Sequence, residues 1–287
     1  MRLLRIIILV FFLITSLIYG VNFAREKLDQ DNVAPVITAE SDEIEVSVEA
    51  TDEELLAGIT AIDDKDGDVT QSLVVVSQMD FITKGTRKVN YAAFDAHNNV
   101  GTYSRKITYT DYRSPRFSST KPFHFVYSDD DSSSTVFSQV IASDVLDGDL
   151  TASIRIVYGS ASESGTVYPV VMSVTNSAGD TASISVNAYR EDTTSFAIPS
   201  PALSYYIVYT KVGRRIDPES YIIGFYRNGI RYLFSEDEHS RYSVEDIVYN
   251  DSNVDYETPG EYVITYQLTG NELEGELGKT ELYVIVE

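Results

Sequence analysis

The chain of 287 residues contains no cysteine. No disulfide can staple it, no thiolate can hold zinc, and no lipoprotein anchor can form at its start. Histidine is almost as scarce. His97, His124 and His239 are the three present, and none stands at a zinc-type spacing from another. Basic residues are few, with 22 Lys and Arg against 44 Asp and Glu, a net charge of −22. A surface this acidic repels phosphate backbones, which excludes nucleic acid as an expected partner and favours solubility. No Gly-rich phosphate loop occurs. The serines of "YGSASESG" (158–165) lack the Gly-x-Ser-x-Gly nucleophile elbow. So many acids guarantee chance carboxylate pairs, but no spacing selects one for glycoside hydrolysis. The chain is therefore not expected to be an enzyme.

Long hydrophobic runs are absent too, with one exception. "IIILVFFLITSLIYGV" (6–21) carries no charge and follows Arg2 and Arg5. A basic start and an apolar core are the marks of an export signal. With Leu3, Leu4 and the Phe23–Ala24 edge, the run reaches the length of a short membrane span. Ile18 and Gly20 make a poor cleavage site. Residues 1–24 are thus expected to be an uncleaved signal anchor that meets the membrane through residues 3–24. Arg2 and Arg5 would stay inside and the rest of the chain outside. Cleavage would instead give a secreted protein.

Beyond the run the chain repeats itself. "DDKDGDVTQSL" (63–73) aligns with "DVLDGDLTASI" (144–154), keeping Asp63/Asp144, Asp66/Asp147, Gly67/Gly148, Asp68/Asp149 and Thr70/Thr151 at an offset of 81 residues. The same offset sets Asp95 against Asn176. Strands are expected wherever apolar residues alternate with polar ones. Ile44, Val46 and Val48 do so, as do Val89, Tyr91 and Ala93, and then Ala182, Ile184, Val186 and Ala188. A third segment lacks the Asp-Gly-Asp turn but alternates through Tyr262, Ile264, Tyr266 and Leu268. "SYYIVY" (204–209) is its expected first strand. "FYRNGIRY" (225–232) reads as a hairpin closed by Asn228-Gly229. The helical pieces are confined to "DEELLAG" (52–58) and "SVEDIV" (243–248), and "YSDDDSSST" (127–135) reads as a flexible loop. Short strands separated by polar turns predict an all-β fold of three tandem antiparallel sandwiches after the anchor. Their expected spans are 33–110, 112–190 and 205–287, with 191–204 as an extended spacer.

The order of these features carries a resemblance. A Pro-led strand "APVIT" (34–38) precedes "AIDDKDGDVT" (61–70), a "G-x-x-x-V-x-Y" strand (85–91) and an Asp-containing turn. This resembles the bacterial immunoglobulin-like domains repeated in surface proteins and found in a pesticidal crystal protein. The second segment matches at "ASDVLDGDLT" and "VTNSAGDTASISV", with one extra residue in "GTVYPVVMSV"; the third matches at Val212-Gly213 and "TPGEYVITY". The resemblance implies β-sandwiches in a surface or secreted setting, used as spacers or adhesion modules, and no activity.

The acidic motif then has two readings. Asp-Gly with flanking Asp and a following Thr suits a tight turn, since Gly accepts positive φ and Asp side chains bind backbone amides. Alternatively Asp63, Asp66, Asp68 and Asp95, with Asp144, Asp147 and Asp149 in the second copy, could offer oxygens to calcium. EF-hand spacing fails, because Ile62 and Leu73 would occupy the first and twelfth places. The turn is the preferred reading, with no cofactor required. His97 is expected to be solvent-exposed in its turn. In the third segment Tyr205, Tyr206, Tyr226 and Tyr232 could form a ligand-binding face, against the alternative of ordinary sandwich core. The expected protein is a membrane-tethered adhesion or structural protein. Two repeats would form a stalk and the third would be displayed to a surface protein or glycan. A binding module proper is the second reading, and an accessory role beside a secreted hydrolase the third.

Overall fold

The computed structural model describes residues 2–29, 31–126, 137–163, 165–191, 198–236, 241–269 and 278–287. The expected loop at 127–135 and His239 lie outside these. A helix, Arg2–Asp29, begins the chain. Its segment Leu3–Arg25 is, among the described residues, the one helix long and apolar enough to cross a membrane, and none of that segment is buried by protein. The remainder is all-β, in tandem immunoglobulin-like sandwiches.

The strands of residues 36–109 form two sheets. The smaller joins Val36–Ala39, Ile59–Asp63 and Gly67–Asp68, all antiparallel. The larger runs in the order Glu43–Val46, Val100–Tyr109, Thr86–Phe94, Val74–Thr83. Its first pair is parallel and the others are antiparallel. Ile37, Ile59 and Ala61 from one sheet, and Val89, Tyr91, Ala93 and Ile107 from the other, are buried. Period-two alternation therefore decides which side of each strand leaves water. The short helix Asp52–Leu56 is set by a capping box between Thr51 and Glu54. It buries Leu55, whose carbonyl accepts a hydrogen bond from the hydroxyl of Tyr91 at 3.0 Å.

Residues 116–191 and 200–286 repeat this plan. In the former, Arg116–Ser118, Ile141–Asp144 and Gly148–Asp149 make the small sheet. Arg155–Tyr158, Val167–Thr175, Thr181–Glu191 and His124–Val126 make the large one. In the latter, Ser200–Leu203, Ile222–Arg227 and Ile230–Leu233 face Ile207–Thr210, Lys279–Val286, Gly260–Leu268 and Ile247–Asn250. Each large sheet again holds one parallel pair, which joins an early strand to the last one. The Asn228-Gly229 turn has φ of 51° and 72°, as a type I′ hairpin demands. The third sandwich starts earlier than "SYYIVY" suggests. Ser200–Leu203, inside the stretch read as a spacer, is its edge strand, and Pro201 is tolerated there because an edge leaves one row of amides unused.

The chain divides into two compact units, Met1–Tyr112 and Arg113–Glu287. Within the second unit the two sandwiches share one hydrophobic core, from Phe117 to Val286. Phe123 meets Tyr283 edge-on with ring centroids 5.7 Å apart. The amide of Phe117 donates to the Tyr209 hydroxyl at 2.9 Å, and the Arg116 guanidinium lies 4.7 Å over the same ring while pairing with Glu287. The amide of Asn187 donates to the Tyr283 hydroxyl at 2.7 Å, and the hydroxyls of Tyr189 and Tyr283 both donate to the Glu281 carboxylate. The amides and hydroxyls named here are all partnered across the contact, and Arg116 Nε alone among these groups is buried without a hydrogen bond.

Candidate functional site

The repeated acidic motif folds as a turn in both copies. Gly67 and Gly148 have φ of 75° and 73°, and this left-handed backbone is why glycine stands there. Asp63 Oδ1 accepts the amides of Lys65 and Asp66, both at 2.9 Å. Asp144 Oδ1 accepts those of Leu146 and Asp147 at 2.8 and 3.0 Å. Asp68 and Asp149 each accept the amide two residues on, from Thr70 and Thr151 at 2.9 Å. Hydrogen bonds from those threonines hold both carboxyls below the ordinary value. The threonine hydroxyls in turn accept the amides of Ala61 and Ala142 on the adjoining strand.

The copies part company around the second oxygen of the leading aspartate. In the second, Asn176 Nδ2 donates to Asp144 Oδ2 at 3.3 Å. In the first the corresponding residue is Asp95, which has no proton to give, and Asp63 Oδ2 is buried without a hydrogen-bond partner. Asp31 joins from the segment after the helix. That segment is held close because Gly101 has no Cβ to collide with the Pro35 carbonyl. Asp31 Oδ1 accepts the amide of Val33 at 3.0 Å, and its Oδ2 is also buried and unpartnered. One carboxylate oxygen each from Asp31, Asp63, Asp66 and Asp95 lies within 4.8 Å of the other three. Asp31, Asp66 and the exposed His97 form an overlapping group. Burial pushes the Asp95 carboxyl up, but hydrogen bonds from Asn99 and from the amide of His97 outweigh it, so the carboxyl titrates below its usual value.

Of the candidate calcium ligands, the structure thus gathers Asp63, Asp66 and Asp95 and leaves out Asp68, whose carboxylate caps Thr70. Among the described residues Asp144, Asp147 and Asp149 form no such group with each other. Sequence reasoning missed Asp31, four residues before Pro35. Its counterpart by that spacing is Asp111, four before Pro115. Asp111 instead accepts the Ser47 hydroxyl at 2.7 Å and the Val48 amide at 2.8 Å, so the repeat offered no signal.

The four candidate tyrosines of the third sandwich, Tyr205, Tyr206, Tyr226 and Tyr232, are scattered rather than gathered. Tyr206 is fully buried and its hydroxyl accepts the Leu203 amide at 3.1 Å, so it belongs to the core and to no binding face. Tyr205 is exposed. Tyr232 is partly covered by Phe225, stacked at 5.0 Å. Tyr226 is half-buried and lines a cleft of about 170 Å³ with Lys121, His124 and Gln139, smaller than the roughly 300–1,000 Å³ of ordinary ligand pockets.

No family model matches the chain, and no curated protein matches it. Solved structures do. A Clostridium perfringens ZmpB structure containing CBM51-2 in complex with GlcNAc and INT domains is 17% identical over 54% of this chain and 26% of its own, at a TM-score of 0.22. Protocadherin gammaB7 EC3-6 is 9% identical over 89% of this chain and 74% of its own, at 0.20. Mouse cadherin-23 EC22-24 is 12% identical over 89% and 99%, at 0.19. The chain spans about a quarter of the first of these structures. Likenesses this distant leave the function to the chain's own residues.

Proposed function

We propose that this is a membrane-tethered surface protein of the bacterial immunoglobulin-like kind, held by its N-terminal helix and presenting its sandwiches outside the cell. The observation that carries the reading is the helix. Leu3–Arg25 exposes every described apolar side chain, and lipid is the medium that would cover them. Arg2 and Arg5 orient the helix with its start inside. The shared core of residues 113–287 favours presenting the second and third sandwiches as one head. The exposed Tyr205 and the partly exposed Tyr232 favour a protein or glycan partner on that head over a purely structural role.

The test is fractionation of cells making the full chain. The protein should remain in alkali-washed membranes with its N-terminus intact, and protease added outside should degrade the sandwiches. Released protein starting near Val21 or Asn22 would sink the tether.

A further inference from the structure

The acids of the first turn are out of balance with their surroundings. Asp31, Asp63 and Asp95 are 6%, 3% and 8% exposed, with Asp66 at the open side. Four carboxylates brought within 4.8 Å repel one another, and burial of three of them weakens the screening that water would supply. Backbone amides satisfy only part of the set. Asp63 Oδ2 and Asp31 Oδ2, on the two most buried members, have no donor at all. Buried polar atoms without partners are rare in folded proteins, and buried charges are paired or bind metals.

The second copy shows that the turn itself does not require this arrangement. There Asn176 supplies an N–H to the same oxygen of Asp144, and Asp147 is held by the amide and hydroxyl of Ser177, both at 2.6 Å. The first copy has exchanged that N–H donor for the Asp95 carboxylate and added Asp31. The exchange removes a donor, and both changes add negative oxygen.

We propose that Asp31, Asp63, Asp66 and Asp95 bind one calcium ion. All four donors are carboxylate oxygens, which hard divalent cations prefer and which do not favour zinc. Calcium takes oxygens at about 2.3–2.6 Å, so opposite ligands stand roughly 5 Å apart and the whole set fits one coordination shell. The donors come from three separate pieces of chain, Asp63 and Asp66 sharing one turn, and such a set suits the flexible shell of calcium better than the near-ideal octahedron that magnesium demands. Asn99 braces the site from outside. Its Nδ2 donates to Asp95 Oδ2 at 2.6 Å and to the Asp31 carbonyl at 3.2 Å. The ion would join three pieces of chain: the segment just beyond the helix, the turn of the small sheet, and the hairpin end of the large one.

The test uses the full chain in detergent, stripped with EDTA and titrated with calcium chloride by calorimetry and thermal unfolding. One calcium should bind per chain with Kd of roughly 10⁻³ M or tighter, the range of extracellular modules, and raise the melting temperature. Asp63→Asn should weaken binding by about tenfold or more, as loss of a charged ligand does. It should not lower the calcium-free melting temperature, because its amide can donate to Asp95 as Asn176 does to Asp144. Asp31→Asn should weaken binding likewise, so the loss can be read even if one variant folds badly. Asp144→Asn should leave the affinity unchanged. No binding by the wild-type chain at about 10 mM calcium, above the weakest such modules, would overturn the proposal. So would unchanged affinity in both first-turn variants, a loss in Asp144→Asn equal to theirs, or magnesium binding as tight as calcium.

Discussion

The two acidic turns share a backbone, one positive-φ glycine each and matched Asp–Thr caps, yet one is electrically closed and the other open. In the second, Asn176 donates to Asp144 and every named oxygen of the pair has a proton facing it. In the first, Asp95 occupies the place of Asn176, Asp31 is added, and two buried oxygens face no donor. What the repeats hold in common is what the fold needs for a turn. What separates them is what one copy can do beyond folding, and a motif search sees only the shared part.

The largest effect is expected from making the closed turn resemble the open one. Asn176→Asp removes the proton facing Asp144 and sets a second carboxylate beside it, a loss of about 3 kcal/mol or more for an uncompensated buried charge. Chemical denaturation followed through the tyrosines of residues 113–287 should show it. A stability change near zero would mean the pairing contributes nothing. A lesser effect is expected at the glycines. A Cβ at Gly67 or Gly148 meets nothing within 4 Å, so valine there costs only the left-handed backbone. That is about 1–3 kcal/mol for either site, and limited proteolysis of each unit would reveal a marked inequality if the two turns were not equivalent. The smallest effect concerns Asp68 and Asp149. Their folded carboxyls titrate below the ordinary value because Thr70 and Thr151 donate to them. Their contribution is therefore complete above the ordinary Asp value of about 3.9 and is lost as pH falls through the lower folded values. Melting temperatures of Asp68→Ala and Asp149→Ala should lie slightly below wild type at neutral pH and converge on it in acid. A gap that widens in acid would reverse the assigned sign.

Much of the fold was legible because it depends on local pattern. Alternation at Val89–Ala93, Ile184–Ala188 and Ile264–Leu268 picked out side chains that are in fact buried, and Asn228-Gly229 announced its own turn. The strand Ser200–Leu203 was hidden because Pro199 and Pro201 read as a spacer. Both prolines are buried here, with the Gly278 amide donating to the Pro199 carbonyl at 3.2 Å. The union of the second and third sandwiches was equally hidden. Tyr209, Tyr283 and Glu281 carry it, and nothing in their spacing distinguishes residues that meet a neighbour from residues that meet their own sheet. Asp31 escaped for a related reason. It lies 32 positions before Asp63, in a connector without period, and only the folded chain brings the two carboxylates together.

The parallel pair in each large sheet has a mechanical meaning. Glu43–Val46 lies beside Val100–Tyr109, His124–Val126 beside Thr181–Glu191, and Ile207–Thr210 beside Lys279–Val286. One partner stands near the entry of its sandwich and the other at the exit. When two parallel neighbours are drawn by opposite ends of the chain, they slide past each other. Their rungs then stretch as a row and must rupture together, whereas an antiparallel hairpin pulled at its open end unzips one rung at a time. Tension applied along the chain would thus fall on a shear joint of three or four residue pairs in every sandwich it crosses, loading those rungs together rather than one after another.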